Sequence, residues 1–364
     1  MSSLTPRPGI MDITPYVGGE SKLPGVDRVI KLASNEGPFG PSPKAMEAYK
    51  ETAPSLHRYP DGGAWELTGA ISEKYGIERK QIVCGAGSDE ILGLLCRAYA
   101  GPGDEVLYSD HGFLMYYIAA KTAGATPVTA PEVNLTANAD NLLAAVTEKT
   151  RIVFLAEPNN PTGTYMGKDE VKRLHAGLPK NVVLVIDAAY AEFVADRDDY
   201  SAGIELVEAN DNVVMTRTFS KLYGLGGLRI GWAYGSAEII DVLHRVRNPF
   251  NTSNAAQAAA LGAINDDEFV AKTLKHNRKW LEWTADEMRK LGLTVPDSVG
   301  NFVLVRFPEQ NGKTAEAADA FLRERGLIVR RMVPYKLPDS LRVTIGLEDE
   351  MKLFVDAVKD FMNR

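Results

Sequence analysis

Four short segments carry polar groups beyond what a turn or a helix start requires. Gly85-Ala-Gly-Ser-Asp-Glu90 follows an apolar run, as do Glu157-Pro-Asn-Asn-Pro-Thr-Gly163 and Asp187-Ala-Ala-Tyr190. The fourth is Arg217-Thr-Phe-Ser-Lys-Leu-Tyr-Gly-Leu-Gly-Gly-Leu-Arg-Ile-Gly231. Each has an ordinary explanation. The first is a tight turn with Ser88 as a helix cap, the second is dense in turn residues, Asp187 is a cap, and most lysines are solvated. Jointly they offer more: an amine flanked by Ser220 and Arg229, a carboxylate at a strand end, and a phenol three residues beyond it. An amine can form an imine with an aldehyde. A carboxylate can keep a heteroaromatic nitrogen protonated, and hydroxyls, a helix N-terminus and an arginine can hold a phosphate. Glycines 224, 226, 227 and 231 do not spell G-x-G-x-x-G, and no G-x-x-x-x-G-K-[ST] occurs, so nucleotide-fold and P-loop readings fail on spacing.

These segments need a scaffold that brings them together. Apolar, β-rich stretches at 81–84, 105–109, 151–156, 182–186, 213–216 and 229–234 predict strands. Helical patterns at 65–75, 89–100, 112–124, 138–148 and 168–177 separate several of them. Alternation of this kind requires crossovers, hence a mainly parallel sheet covered on both faces. Ligands of such sheets bind beyond the carboxyl ends of the strands, where all four polar segments fall. Helical patterns dominate 237–292. A smaller α/β unit then follows, with strands at 302–306, 327–331 and 341–345, a helix at 314–325 and a last one from about 347. The chain divides into an extended arm (1–30), a large domain (31–250) and a small C-terminal domain (251–364).

Composition narrows the function classes. The 364 residues hold 41 Lys+Arg against 48 Asp+Glu, a formal charge of −7, which argues against nucleic acid as the main partner. With 45% hydrophobic and 24% charged residues, the chain is an ordinary globular protein of more than one core. Two cysteines, Cys84 and Cys96, build neither a disulfide framework nor a four-ligand zinc site. The five histidines are scattered and no H-E-x-x-H occurs, so no metal is expected. The N-terminal stretch has no apolar run of signal-peptide type and no segment is long enough to span a bilayer, so the expected setting is the cytoplasm, away from membranes.

An imine-forming lysine, an aspartate for a ring nitrogen and a phosphate cradle are what pyridoxal phosphate requires, because the protonated ring is an electron sink. Pro158-Asn-Asn-Pro-Thr-Gly163, Asp187-Ala-Ala-Tyr190 and Ser220-Lys221 followed by Gly227-Leu-Arg-Ile-Gly231 resemble the signature of the class I/II, fold type I aminotransferases. Further motifs are similar to the histidinol-phosphate aminotransferase branch: Pro15-Tyr16, Leu32-Ala-Ser-Asn-Glu36, Gly40-Pro-Ser-Pro43, Arg58-Tyr-Pro-Asp-Gly62, Asn248-Pro-Phe-Asn251, Gly326-Leu-Ile-Val-Arg330 and Leu341-Arg-Val-Thr-Ile-Gly346. They run in order along almost the whole chain.

That resemblance implies an α/β fold with a mainly parallel seven-stranded sheet, a smaller C-terminal domain and an N-terminal arm. It also implies exchange of the amino group of histidinol phosphate with 2-oxoglutarate/glutamate, in histidine biosynthesis. Lys221 would be imine-linked to the cofactor and then move the proton, with Asp187 on the pyridine nitrogen. Tyr190 and Asn160 would contact the ring oxygen, and Phe113 would stack on the ring. Ser88, Thr218, Ser220 and Arg229 would bind the phosphate, with Asp89 beside them. Tyr59 would reach the cofactor phosphate of a neighbouring subunit, making a homodimer with shared sites. For the phosphate ester of the substrate the candidates are Arg330 and Arg342, with Tyr16 and Asn251 as further contacts. Arg330 and Arg331 point to opposite faces of a strand, so Arg331 is left to solvent.

Three positions depart from the family pattern: Gly37 for asparagine, Glu157 for asparagine, and Phe113 for tyrosine. An aromatic amino acid aminotransferase on the same scaffold is the alternative reading. A phosphothreonine decarboxylase shares the motifs, whereas a regulatory module would need a basic helix-turn-helix arm that residues 1–30 do not supply.

Overall fold

The computed structural model describes residues 4–16, 18–25, 28–310 and 312–364. A two-residue strand, β1 (Ile30–Lys31), comes first. Seven strands follow: β2 (Ile82–Gly85), β3 (Glu105–Ser109), β4 (Thr126–Ala130), β5 (Thr150–Ala156), β6 (Val183–Asp187), β7 (Val213–Thr218) and β8 (Gly231–Gly235). They form one sheet in the order β2-β8-β7-β6-β5-β3-β4, in which only β8 runs against its neighbours. The sheet is mainly parallel and covered on both faces, so its central strands send apolar side chains to either side. In β6, Leu184 and Ile186 enter one core while Val183 and Val185 enter the other; in β5, Val153 and Leu155 oppose Ile152 and Phe154 in the same way.

β4 and the helix Pro43–Glu51 were not legible in the residue pattern. β4 reads Thr-Pro-Val-Thr-Ala, and its proline is tolerated because the strand is the sheet's edge. The helix carries a usable start signal, since the Ser42 hydroxyl accepts from Ala45 N at 3.2 Å and Pro43 opens the first turn. A second difference lies at Ser88. The helix Ser88–Tyr99 has Gly87 at its N-cap, at a positive φ of 85° with an extended ψ of 160°, and no side chain caps it. Ser88 is therefore the first helical residue, and its side chain faces the cavity described below.

The second layer of structure is built on β9 (Phe302–Arg306), β10 (Leu327–Ile328), β11 (Arg330–Met332) and β12 (Leu337–Thr344). β9, β12 and β11 form an antiparallel sheet, order β11-β12-β9, while β10 pairs with β1. Its core takes Ile30 and Leu32 from the start of the chain and Trp280 and Met288 from the long helix Asp267–Lys290. The helix Asn254–Ile264, in contrast, sends Ala256, Ala259, Ala260, Ala263 and Ile264 into the large core. Apolar side chains follow the core they fill, across the boundaries expected at 30/31 and 250/251: Ile30 and Leu32 pack in the C-terminal core, and the helix Asn254–Ile264 packs in the large one. Part of the arm lies on the helix Leu114–Ala123, where Lys121 Nζ meets Asp12 at 3.0 Å. Among the described residues, no helix is long and apolar enough to cross a membrane.

Candidate active site

A cavity of about 420 Å³ opens at the carboxyl ends of β5, β6 and β7, between the two domains. Its wall gathers Tyr16, Ser88, Asp89, Phe113, Asn160, Asp187, Tyr190, Thr218, Ser220, Lys221, Arg229, Arg330 and Arg342, as well as Asn35 and Tyr335. Two expected contacts are not among them. Tyr59 is 81% exposed and stacks on Phe250 (centroids 4.7 Å apart), outside the cavity of its own chain. Asn251 sits behind the glycine turn: its Nδ2 donates to Cys84 O (3.1 Å) and Glu90 Oε2 (2.7 Å), and its Oδ1 accepts from Arg247. Within this chain Asn251 braces the turn that carries Ser88, and the cavity wall does not include it.

Asp187 ends β6 with both carboxylate oxygens engaged, by the Tyr116 hydroxyl at 2.9 Å and the Thr216 hydroxyl at 3.1 Å. Burial pushes its pKa up to about 6, against the pull of those two hydrogen bonds. Lys221 lies beyond the end of β7, its Nζ 3.4 Å from the Ser34 carbonyl. Loss of hydration, then the charge of Arg342, lower its pKa to about 8, so a neutral amine is accessible near neutrality. The Tyr190 hydroxyl accepts from Asn35 Nδ2 at 2.8 Å, and its ring packs edge-on against Phe302. Asn35 in turn is held by the Thr344 hydroxyl and Asn301, both from the small domain.

The turn between β2 and its helix is shaped by two close approaches. A Cβ on Gly231 would lie 2.4 Å from Ser88 N, and one on Gly87 would lie 2.3 Å from an Arg229 nitrogen. Arg229 donates to Asp89 (2.6 Å) and toward the Ser220 hydroxyl (3.4 Å), which brings a guanidinium and hydroxyls to one corner. The Thr218 hydroxyl accepts from Ser220 N at 3.1 Å and orders the segment before Lys221.

On the small-domain side, Arg330 and Arg342 are direct cross-strand partners of β11 and β12, so both side chains leave the same face. Arg342 is 6% exposed; it donates to the Asn160 amide oxygen and to the Ala33 carbonyl, and its Nε has no partner. Arg331 points away and pairs with Glu316 at 2.9 Å, so the expected alternation holds while its end is ion-paired at the surface. Gly37 also finds a reason: a Cβ there would press on the Lys221 carbonyl at 3.2 Å.

The donor set fits pyridoxal phosphate. A buried carboxylate, an amine with a lowered pKa and a hydroxyl–guanidinium corner with no room for further Cβ atoms surround one cavity. Three contributors escaped the sequence reading: Tyr116 and Thr216, which hold Asp187, and Asn35, which holds Tyr190. Asn35 lies within a quoted motif and could have been found there. Tyr116 reads only as a core aromatic, stacked on Phe154, until the packing is seen.

Comparison with known proteins agrees with this geometry. The sequence profile of the family "Aminotransferase class I and II" matches residues 27–358. Histidinol-phosphate aminotransferase of Paramagnetospirillum magneticum is 64% identical over 362 residues, covering 100% of this chain and 99% of that one. The enzyme of the same name from Rhodospirillum centenum is 56% identical, with the same coverage. Among solved structures, histidinol-phosphate aminotransferase from Sinorhizobium meliloti in complex with pyridoxal-5'-phosphate superposes with a TM-score of 0.88 at 28% identity, over 99% of both chains. With its lysine, aspartate and paired arginines on one cavity, and a profile match from residue 27 to 358, the chain belongs to the class I and II aminotransferase family.

Proposed function

We propose that the chain is a pyridoxal-phosphate-dependent aminotransferase that exchanges the amino group of histidinol phosphate with 2-oxoglutarate/glutamate. The observation that carries the substrate is the Arg330–Arg342 pair. Two guanidiniums directly opposite on neighbouring strands repel each other, and Arg342 is buried against neutral acceptors. An anionic group between them relieves that repulsion, and a phosphate ester brings up to two negative charges. Full-length identity of 64% to a relative of that activity supports the same reading.

Pyridoxal phosphate supplies an aldehyde for amines and a ring that accepts electrons. Asp187 would hold the ring nitrogen, Tyr190 and Asn160 the ring oxygen, and Ser88, Thr218, Ser220 and Arg229 the phosphate, with Phe113 against the ring face and Asp89 beside Arg229. Lys221 would be linked to the aldehyde at rest. Once displaced, its Nζ takes the substrate Cα proton and later returns one, a role suited to an amine whose pKa lies at about 8. Arg342, Arg330 and Tyr16 would orient the anionic end of the substrate.

The same reading includes a homodimer in the cytoplasm. Tyr59, Leu56 and Trp65 are exposed apolar groups close together in sequence, and burial against a second copy would remove them from water. Tyr59 would then reach the cofactor phosphate of the other copy. Cys84 and Cys96 are both buried, unpaired thiols, as a reducing compartment keeps them.

A donor panel tests the function. Purified yellow protein mixed with histidinol phosphate should lose its visible absorbance, and phenylalanine at equal concentration should act far more slowly. Equal bleaching by both would favour the aromatic aminotransferase. Sedimentation of wild type against Tyr59→Ala, with cofactor affinity measured on both, tests the shared site.

A further inference from the structure

Glu157 is a buried acid that no step above uses. It is 1% exposed, follows β5 directly, and stands between two residues of the cavity wall, Ala156 and Pro158. Its own side chain points away from the cavity. There Oε2 accepts from Met166 N at 3.0 Å, and Oε1 is buried without a partner. No arginine or lysine pairs with it among the described residues. Its main chain is anchored as well, N donating to Asp187 O (2.9 Å) and O accepting from the Tyr200 hydroxyl (3.0 Å).

The Glu157–Met166 bond closes the base of a loop whose middle is tied by Asn159 N to Thr164 O and by Gly163 N to Asn159 O. Asn160 rides on this loop and accepts from Arg342. We propose that Glu157 is a positioning residue of the reaction: by closing the loop base it sets where Asn160 meets the cofactor ring and Arg342. A lone carboxylate with one N–H donor and no cation is costly to bury, so Glu157 acts as a neutral acid, in line with the upward push that burial exerts on its pKa. An amide of the same length can replace a neutral acid here, because its oxygen still reaches Met166 N.

The inference rests on the reading that the site binds pyridoxal phosphate with Asn160 at the ring oxygen. That contact tunes the proton of the lysine-linked cofactor, so the pH midpoint of its visible band reports Asn160's position. In Glu157→Ala the midpoint should move by about half a unit or more. Glu157→Gln should keep the wild-type midpoint, and Glu157→Ala with Asn160→Ala should match Asn160→Ala alone, because the effect runs through Asn160. Should Glu157→Ala fail to fold, Glu157→Asn keeps an amide one methylene short of Met166 and should show the same displacement. An unmoved midpoint in a folded Glu157→Ala or Glu157→Asn protein overturns the proposal, as does a Gln variant displaced as far as Ala. Wild-type protein without any visible band would instead overturn the cofactor reading itself.

Discussion

Asp187 and Arg342 are both buried charges on one cavity, but they are held differently. Asp187 has both oxygens filled by Tyr116 and Thr216, groups of its own domain. Arg342, on a small-domain strand, is held by Asn160 of the large domain and by the Ala33 carbonyl on the segment that joins them. The support of Asp187 is thus completed inside one domain, whereas that of Arg342 exists only where two domains meet. Asn35 follows the second pattern, linking Tyr190 of the large domain to Thr344 of the small one. The two charges are therefore built differently, and mutations at Asp187 and at Arg342 should differ in kind.

The largest effect is expected at the cofactor side. Lys221→Ala should lower kcat by roughly four orders of magnitude and abolish the visible band, since no other amine stands in for it. Turnover retained in that variant would break the comparison outright.

Asp187→Asn should lower kcat by roughly a thousandfold with cofactor still bound, because an amide cannot keep a ring nitrogen protonated. Its stability should move the other way. The folded pKa of about 6 lies above the ordinary value of 3.8, so this acid's contribution is present at low pH and is lost as pH rises through about 6. Above that pH the cofactor-free Asn variant should be more stable than wild type by on the order of 2 kcal/mol, read by urea unfolding.

Arg342→Gln probes the substrate side and its reach across the cavity. It should cut kcat/KM for histidinol phosphate by roughly a hundredfold while leaving the visible band in place. Arg342 also helps hold the Lys221 pKa down, so its loss should move that pKa up from about 8. Capture of added pyridoxal phosphate by the cofactor-free protein needs the neutral amine and should rise with pH through that value, later in the variant. An unchanged midpoint would mean that the two sides are electrostatically independent. The smallest effect belongs to Arg331→Ala, expected to change kcat/KM less than about twofold because that side chain meets Glu316 at the surface.

Much of this was readable from the residues. The strands under the site each carry a run of apolar residues, a local property, and six of the seven in the sheet were placed within one or two residues of their observed bounds. β4 escaped because an edge strand half open to solvent needs no apolar run, and its proline argues against it. Lys221, Asp187, Tyr190 and Arg229 were legible because polar groups at the ends of buried strands have little structural reason to be there. The contacts of Asn251 with Cys84 and Glu90 were not legible, because a motif says which residues matter and not which side of a turn they brace.

The chain's own order of residues determined the parallel sheet, the strand-end chemistry and the opposite faces of Arg330 and Arg331, since each follows from local period and side-chain type. Tertiary structure alone decided that Tyr116 and Thr216 hold Asp187, that Asn35 bridges the domains to Tyr190, and that Arg330 stands opposite Arg342. Those are contacts between segments far apart in the chain. Their geometry depends on how separate segments pack together, and no local pattern of residues encodes that distance.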